Sequence, residues 1–308
     1  MIKLVGFGAA LMFSLAVVPA YAQTRTFVSG VGDDLNPCSR TAPCKTFAGA
    51  ISKTFINGEI NCLDPGGYGP VTITKSITID CKGTNALILA VGNNGITVSI
   101  PASADDPTRS VRIRGLGING AGVSGSVGTR TGLVGIRATA GTSLFVEDTV
   151  IEEFTQQGIQ VQTSAAFDLS LDRVLIRNTN SSGVALSGSA GQVVASLNKV
   201  RIYDTSTALT LSGSARANLR NVTMAHNTSG ITTSGLTNIV NADNIMVSFA
   251  TAAALQANPT GTIRVANSVI TQNATGLNAN SGSIISMSNN SVTGNTADGA
   301  FTSTTPQQ

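Results

Sequence analysis

Ionisable side chains recur at nearly constant intervals in the middle of the chain. Glu152, Arg177 and Tyr203 are 25 and 26 residues apart, and each is followed by a second polar residue. If this interval is one structural repeat, the side chains lie side by side. A tyrosine or histidine could then remove a proton from a bound ligand while an arginine neutralises its carboxylate. The candidate catalytic residues are Arg177, Tyr203, His226, Asp204, Glu152 and Glu153.

The same residues also fit a surface without chemistry. In this interpretation Glu152 pairs with Arg177, and Asp204 pairs with His226, on a solvated face. A single histidine beside one aspartate is common on protein surfaces, and perturbed groups also occur in structural networks. The sequence leaves both interpretations open.

The elements that position these residues are short repeats. From residue 143 onward, a six-residue word of the pattern apolar-x-polar-x-x-apolar recurs every 22 to 26 residues. A period of this length indicates a solenoid, a propeller or a linear array. The words begin at Val146, Leu171, Leu197, Leu219, Ala242, Val265 and Met287.

Each repeat contains three short strands. Apolar and polar residues alternate, as in Leu169-Ser170-Leu171, and this is the period of a strand. Leucine-rich repeats need a denser leucine pattern, and propeller blades need about 40 residues. Three short strands joined by Gly, Asn and Ser turns therefore predict an all-β solenoid in which each repeat is one coil of a parallel β-helix.

Stacked coils place equivalent residues about 4.8 Å apart. The column after the sixth position of each word, which includes Arg177 and Tyr203, is predicted to point outward. The Gly- and Ser-rich segment 119–132 predicts a loop that projects from the solenoid. The third positions of the later words predict a ladder of hydrogen-bonded amides, formed by Asn221, Asn244, Asn267 and Asn289.

Charged residues are scarce, with 19 Lys and Arg and 16 Asp and Glu among 308 residues. The formal net charge of +3 excludes disorder driven by charge repulsion. The basic residues form no stripe, so a nucleic-acid partner is not predicted. Carboxylates such as Asp148, Asp172 and Asp243 are too dispersed for the roughly six to eight oxygens that Ca2+ prefers. No metal and no other cofactor is predicted.

Residues 1–22 have the features of a secretory signal peptide. Lys3 precedes an apolar run shorter than the roughly 20 residues that a spanning helix needs. A small-x-small pattern follows, which predicts cleavage near Ala22 and Gln23. The mature protein is expected to be secreted, periplasmic or on the cell surface. No later segment is apolar enough to span a membrane.

All four cysteines lie in the first third of the chain, and disulfides persist in exported proteins. Four cysteines allow three connectivities. The favoured one joins Cys38 to Cys44 and Cys62 to Cys81, because matching Ile-x-Cys words precede the latter two. The spacing and a single histidine argue against a zinc site.

The segment from Phe27 to Ile60 contains Asn36-Pro37-Cys38 and the word Pro43-Cys44-Lys45-Thr46-Phe47-Ala48. It resembles the N-terminal cap of pectate-lyase-like right-handed parallel β-helix proteins, in which a strand and an amphipathic helix close the end of the coil stack. The resemblance implies a cap at residues 23–58, a right-handed β-helix at 59–300 and a tail at 301–308.

The superfamily includes polysaccharide lyases, glycoside hydrolases, epimerases, adhesins and phage tailspikes, so the resemblance alone does not select a function. The catalytic words of polygalacturonases are not present as a set, and those of pectate lyases require a tryptophan that the chain lacks. Two functions are expected. One is an exported protein that binds or modifies polysaccharide, possibly as a polyuronate lyase. The alternative is a noncatalytic surface or matrix protein of the adhesin type.

Overall fold

The computed structural model describes residues 23–122, 127–235 and 237–306, so the predicted signal peptide lies outside the described residues. One α-helix, α1 (Phe47–Lys53), follows the first strand, and a 3-10 helix spans Val127–Thr129. The strands are β1 (Gln23–Val28), β2 (Thr54–Cys62), β3 (Gly66–Gly67), β4 (Val71–Ile73), β5 (Ile77–Asp80), β6 (Ala86–Leu89), β7 (Ile96–Ser99), β8 (Ser110–Arg114), β9 (Leu116–Asn119), β10 (Ile136–Ala140), β11 (Ser143–Phe154), β12 (Ile159–Thr163), β13 (Phe167–Asn198), β14 (Arg201–Ala225), β15 (Ser229–Ser234), β16 (Ile239–Ser248), β17 (Ala253–Ala257), β18 (Thr262–Ala266), β19 (Val269–Thr271), β20 (Thr275–Asn278), β21 (Ser283–Ser286), β22 (Ser291–Val292) and β23 (Ser303–Thr304).

The strands pair in parallel from one coil to the next, which confirms the predicted β-helix. Val146 lies opposite Leu171, and Ile151 lies opposite Ile176, as the repeat requires. Each coil has three sides. In the coil that starts with β11, the first side is residues 143–147, the second side is residues 149–152, and the third side is β12. The neighbouring coils repeat these three sides, as in the pairing of β11 with β13 and of β12 with β13.

The core is a set of stacked aliphatic columns. Ile60, Ile79, Ile113, Val146 and Leu171 lie opposite one another on the first side, and each is buried. Burial of one such side chain stabilises a protein by about 1.5–3 kcal/mol. The alternation of buried and outward residues therefore fixes the register of the coils, because a slip by one residue would expose the whole column.

Two one-residue corners separate the sides of each coil. The third position of every word adopts a left-handed backbone, with φ between 49° and 55° from Asp148 to Asn289. The eighth position is also left-handed, from Glu153 (φ 65°) through His226 (φ 56°) to Gln272 (φ 58°). The four residues between the two corners form the second side. The polar column predicted next to Arg177 and Tyr203 is therefore a column of corner residues rather than a continuation of the strand.

The predicted asparagine ladder is only partly formed. Asn244 donates a hydrogen bond to Asn221 over 2.7 Å, but Asn267 donates instead to Asp243 over 2.8 Å. The prediction for Asn289 is wrong. Val265 pairs with Ser286 rather than with Met287, so the final word starts one residue out of register with the word before it. Ser286 is buried there, and two consecutive left-handed residues, Ser288 and Asn289, absorb the extra residue.

The N-terminal part of the chain contains α1 and the Cys38–Cys44 disulfide, and the second disulfide lies in the first coils. Thr46 caps the helix by accepting a hydrogen bond from the Gly49 amide over 2.9 Å. The disulfides join Cys38 to Cys44 and Cys62 to Cys81, which confirms the favoured connectivity. Cys62 is the last residue of β2 and Cys81 directly follows β5 of the next coil, so this bond fastens the first coil to the second.

The predicted projecting loop at 119–132 includes residues 123–126, which lie outside the described residues. Its described ends are held together, because the Gly132 amide donates to the Gly120 carbonyl over 2.8 Å. In the described parts of the chain, no helix has the length and apolar character that crossing a membrane requires.

Candidate functional site

The outward row on the second side brings three of the predicted residues together. Glu152 lies opposite Arg177, and Arg177 lies opposite Tyr203, in adjacent strands. Arg177 forms an ion pair with Glu152 over 2.7 Å, and Asn119 donates to the same carboxylate over 3.2 Å. The pairing expected for a solvated face is therefore present at this position. The row of exposed polar side chains ends at Tyr203, because the next residue of the row, Ala225, is buried.

Glu153 is sealed in the corner next to this row. Its side chain is 2% exposed and forms an ion pair with Arg130, which is 5% exposed, over 2.9 Å. Asn178 donates to the other carboxylate oxygen over 2.7 Å. A buried carboxylate with both oxygens occupied is closed to a ligand. Through this ion pair, Glu153 holds Arg130, near the end of segment 119–132, against the solenoid.

Asp204 and His226 do not form the pair that the solvated-face interpretation predicts. Both occupy left-handed corner positions, and the described residues contain no ion pair between them. His226 stacks instead on Phe249 of the next coil, with ring centroids 4.7 Å apart and an interplanar angle of 6°. The corners stack rings along the axis because equivalent positions are one coil apart.

A groove that the sequence reasoning missed lies on the first side of the later coils. Two outward rows line it, in strands that pair in register. It encloses about 670 Å³ and spans five coils. We call it the amide groove, and its two rows are Ser196, Asn218, Asn241 and Arg264, and Asn198, Arg220, Asp243 and Ala266, with Lys199 and Asn221 at the adjoining corner.

Side-chain amides connect the coils along the amide groove. Asn241 donates to Asn218 over 2.9 Å, and Arg264 contacts the oxygen of Asn241 over 3.4 Å. In the other row, Asn198 donates to Asp172 over 2.8 Å. Each amide carries two donor hydrogens and an oxygen with two lone pairs. Each therefore keeps hydrogen-bonding capacity for a ligand.

The charges on the first side differ between the two halves of the solenoid. In the N-terminal coils they are neutralised. Arg114 pairs with Asp80 over 3.3 Å and with Glu147 over 3.1 Å. Arg112 also reaches Glu147, over 3.4 Å. Beyond these pairs, Arg25 lies 3.1 Å from Glu59 on the same face.

In the C-terminal coils the cations of this face are free. Within the described residues, the side chains of Lys199 and Arg220 form neither an ion pair nor a hydrogen bond. Arg264 has only the contact with Asn241. The same sheet face thus changes from closed ion pairs to an amide-lined groove with unpaired positive charge.

The carboxylate of Asp148, at the corner after the first side, is held by two cations. Side-chain hydrogen bonds from Arg173, and then from Lys82, hold the pKa of Asp148 well below its usual range. Among the described residues, no group of three or more His, Cys, Asp and Glu side chains is arranged to hold a metal ion.

The sequence did contain a signal for the amide groove. Asn218 and Asn241 are each one residue before a word, and Arg220 and Asp243 are second positions of words. Aligning every outward column, instead of only those after the sixth position, would have placed these residues together. The sequence does not show which cations form ion pairs, because an ion pair depends on which charged side chains lie one coil away.

Comparisons with known proteins agree with this architecture. Residues 158–307 match the family described as right handed beta helix region. No curated protein matches the sequence. Pectate lyase Pel9A is similar in structure, with a TM-score of 0.55 and 14% identity over 86% of this chain and 68% of that chain. XylC, solved in complex with xylose, has a TM-score of 0.51 and 8% identity over 79% of this chain and 69% of that chain.

At these identities the structural similarity shows the fold alone, and the parallel coil stack and the family match over residues 158–307 agree with that fold. The chain is a right-handed parallel β-helix protein with a pectate-lyase-like fold.

Proposed function

We propose that this protein binds an acidic polysaccharide along the amide groove. The observation that carries the proposal is the unpaired charge of Lys199 and Arg220 in a groove of about 670 Å³ lined by asparagine amides. An unpaired guanidinium presents two parallel N–H groups that match a carboxylate. The amides supply donors and acceptors for sugar hydroxyls.

The repeat of the coils suits a polymer. Equivalent side chains recur about every 4.8 Å along the axis, so a chain of sugars would meet similar groups at successive coils. The fold is shared with pectate lyase Pel9A, which supports a polysaccharide-related role in general. The two disulfides fit an oxidising compartment, and we propose that the protein is exported by the peptide at residues 1–22.

A second candidate function is cleavage of the same polymer by a lyase reaction. Tyr203 lies opposite Arg177 in adjacent strands, and Tyr203 has no hydrogen bond from its hydroxyl within the described residues. As a phenolate, Tyr203 would take the proton next to a uronate carboxylate while Arg177 neutralises that carboxylate. The electrons of the broken C–H bond form the double bond of the unsaturated product, and the glycosidic oxygen leaves and receives the proton from Tyr203. The ion pair between Arg177 and Glu152 weakens this candidate, because Arg177 would have to release Glu152 first.

The experiment uses the mature chain, residues 23–308, with polygalacturonate, alginate and a glycosaminoglycan as acidic polymers and dextran as a neutral control. Affinity gel electrophoresis measures binding, and ultraviolet absorbance follows unsaturated product. Retardation by at least one acidic polymer, and none by dextran, supports the proposed function. Equal mobility in all gels overturns it.

The lyase candidate has its own outcome in the same experiment. Unsaturated product that disappears in Tyr203→Phe, with binding retained, supports cleavage at the second side. Binding without product in the wild-type protein rejects the lyase and leaves a noncatalytic glycan-binding protein.

A further inference from the structure

One residue of the amide groove carries a charge that opposes the binding of anions. Asp243, in β16, lines the groove between Arg220 on the preceding coil and Ala266 on the following coil. It is half-buried, and its carboxylate belongs to no ion pair among the described residues. Asp243 therefore offsets part of the attraction that the cations of the groove exert on an acidic ligand.

The carboxylates at equivalent positions of the earlier coils are neutralised. Asp80 and Glu147 lie opposite Arg114 on either side and form ion pairs with it, over 3.3 Å and 3.1 Å. Asp172, which lies opposite Glu147, is also in an ion pair. Within the described part of the chain, Asp243 is thus the carboxylate at this position that has no cation partner.

The carboxylate of Asp243 is held in position and keeps one oxygen free. The side-chain amide of Asn267, at the corner of the next coil, donates to its Oδ1 atom over 2.8 Å. Its Oδ2 atom accepts no hydrogen bond within the described residues. Because an ionised carboxylate is an acceptor only, Oδ2 can accept hydrogen bonds from a bound ligand. Hydrogen bonds to a charged acceptor are roughly twice as strong as those between neutral groups.

Arginines lie on both sides of this carboxylate along the groove. Arg220 precedes Asp243 by one coil. Arg264 follows it by one coil in the neighbouring row, because Asn241 of the same coil lies opposite Arg264. All three charged side chains line one cavity. Since coils are about 4.8 Å apart, the charges alternate as plus, minus and plus over a length of about 10 Å.

This order of charges limits what a bound polymer can place at each coil. An acidic sugar at the coil of Arg220 or of Arg264 meets an opposite charge. An acidic sugar at the coil of Asp243 would bring two carboxylates within about one coil spacing, where like charges repel. A neutral sugar at that coil can instead donate a hydroxyl hydrogen to Oδ2 of Asp243. The groove therefore fits acidic sugars that are separated by a neutral one.

We propose that Asp243 is a specificity-determining residue of the amide groove. It selects acidic polysaccharides in which neutral sugars separate the acidic ones, and it disfavours polymers that carry a carboxylate on every sugar. This inference rests on the proposed function, since it concerns the ligand of the same groove. Asp243 acts on the ligand directly, by accepting a hydrogen bond from a neutral sugar and by repelling a carboxylate.

The test compares two ligands that share one backbone. Galacturonate oligomers of equal length are used either fully ionised or partly methyl-esterified, because each ester turns an acidic sugar into a neutral one that keeps its hydroxyl groups. Isothermal titration calorimetry at constant salt measures their dissociation constants for the mature chain. Loss of ligand charge ordinarily weakens binding to a cationic surface. We expect the opposite here, with the partly esterified oligomer bound at least about threefold more tightly by the wild-type protein.

Two variants assign this preference to Asp243. Asp243→Asn keeps a side-chain oxygen for Asn267 and should tighten binding of the fully ionised oligomer by about tenfold, while binding of the partly esterified oligomer changes by less than about twofold. Asp168→Asn, which removes an exposed carboxylate of β13 outside the groove, is the matched control and should leave both dissociation constants unchanged. Circular dichroism confirms that each variant is folded.

The outcomes also separate specificity from binding. If neither oligomer binds the wild-type protein, the proposed function fails and the role of Asp243 fails with it. If both oligomers bind, a wild-type protein that does not prefer the partly esterified one overturns the role of Asp243 and leaves the proposed function standing. A folded Asp243→Asn variant that tightens both oligomers equally, or neither, does the same. If this variant does not fold, the preference of the wild-type protein decides.

Discussion

Asp106 shows how one buried carboxylate organises an irregular segment. It is 3% exposed and accepts hydrogen bonds from the amide and the hydroxyl of Ser76, each over 2.5 Å. The Arg109 amide and the Thr108 hydroxyl donate to it over 3.1 Å. These bonds tie residues 105–109 to the start of β5, although they are about 30 positions apart in sequence.

Burial raises the pKa of Asp106, but the hydrogen bonds from Ser76, Arg109 and Thr108 outweigh it, so the pKa lies below the usual value. A depressed carboxyl pKa contributes stability that is present above the unfolded-state pKa and is lost as pH falls through the folded-state pKa. Asp106→Asn should therefore lower the free energy of unfolding by about 1–3 kcal/mol at neutral pH, and by less in acid. Urea unfolding at several pH values measures this.

The exposed neighbour Asp105 supplies the control for this prediction. Asp105→Asn should change the free energy of unfolding by less than about 0.5 kcal/mol at every pH, as is usual for surface sites. A deficit of the Asp106→Asn variant that stayed constant down to about pH 2 would show that its charge is not the source of the effect.

At the scale of elements, a buried asparagine column stabilises the second corner. Asn227, Asn273 and Asn295 follow this corner in their coils and bond to the backbone of neighbouring coils. The side chain of Asn273 accepts from the Ala250 amide over 2.9 Å and donates to Asn295 over 2.8 Å. It therefore serves three consecutive coils from a site that is 2% exposed.

Asn273→Ala should lower the free energy of unfolding by about 1–3 kcal/mol, because the buried amide of Ala250 loses its partner inside the protein. Asn280→Ala is the matched control, since Asn280 donates only one exposed side-chain bond, to Asn258. Thermal unfolding followed by circular dichroism compares the two. Equal losses in both variants would contradict a special role of the buried column.

The disulfide between Cys62 and Cys81 should contribute more than the one between Cys38 and Cys44. The bonds close loops of 19 and 6 residues. By loop-closure entropy these lengths correspond to about 3 and about 2 kcal/mol. We expect Cys62→Ser with Cys81→Ser to lower the urea midpoint more than Cys38→Ser with Cys44→Ser does. The reverse order would mean that fastening the first two coils is not the dominant effect.

The sequence predicts the regular elements well and the corners poorly. The register of Val146 with Leu171 and the partners of Cys62 follow from hydrophobic period and matching words. The left-handed backbone at Arg173 and Phe249 cannot be predicted from such patterns, because only Gly, Asn and Asp indicate that conformation in a sequence. The interpretation as a solvated face predicts a stacked pair of Asp204 and His226, but both residues occupy corners and His226 stacks on the ring of Phe249.

On the scale of the whole molecule, the uneven distribution of charge is the feature that bears on function. The N-terminal coils close their first side with ion pairs, whereas in the C-terminal coils Lys199 and Arg220 have no ion-pair partner among the residues that the structure describes. The pairing of charges depends on contacts between residues more than 20 positions apart. Composition alone therefore shows a protein poor in charge, and only the stacked coils show where its charge is available.

The central claim is that the amide groove binds an acidic polysaccharide through its unpaired cations. The most direct measurement compares the dissociation constants of polygalacturonate for the wild-type protein, the Lys199→Gln/Arg220→Gln variant and the Arg216→Gln control. Arg216 is an exposed arginine on the same strand as Arg220 but outside the groove. We predict that the double variant binds at least about tenfold more weakly, and that the control binds like the wild type. Equal weakening in the control and the double variant, or unchanged binding in both, would contradict the claim.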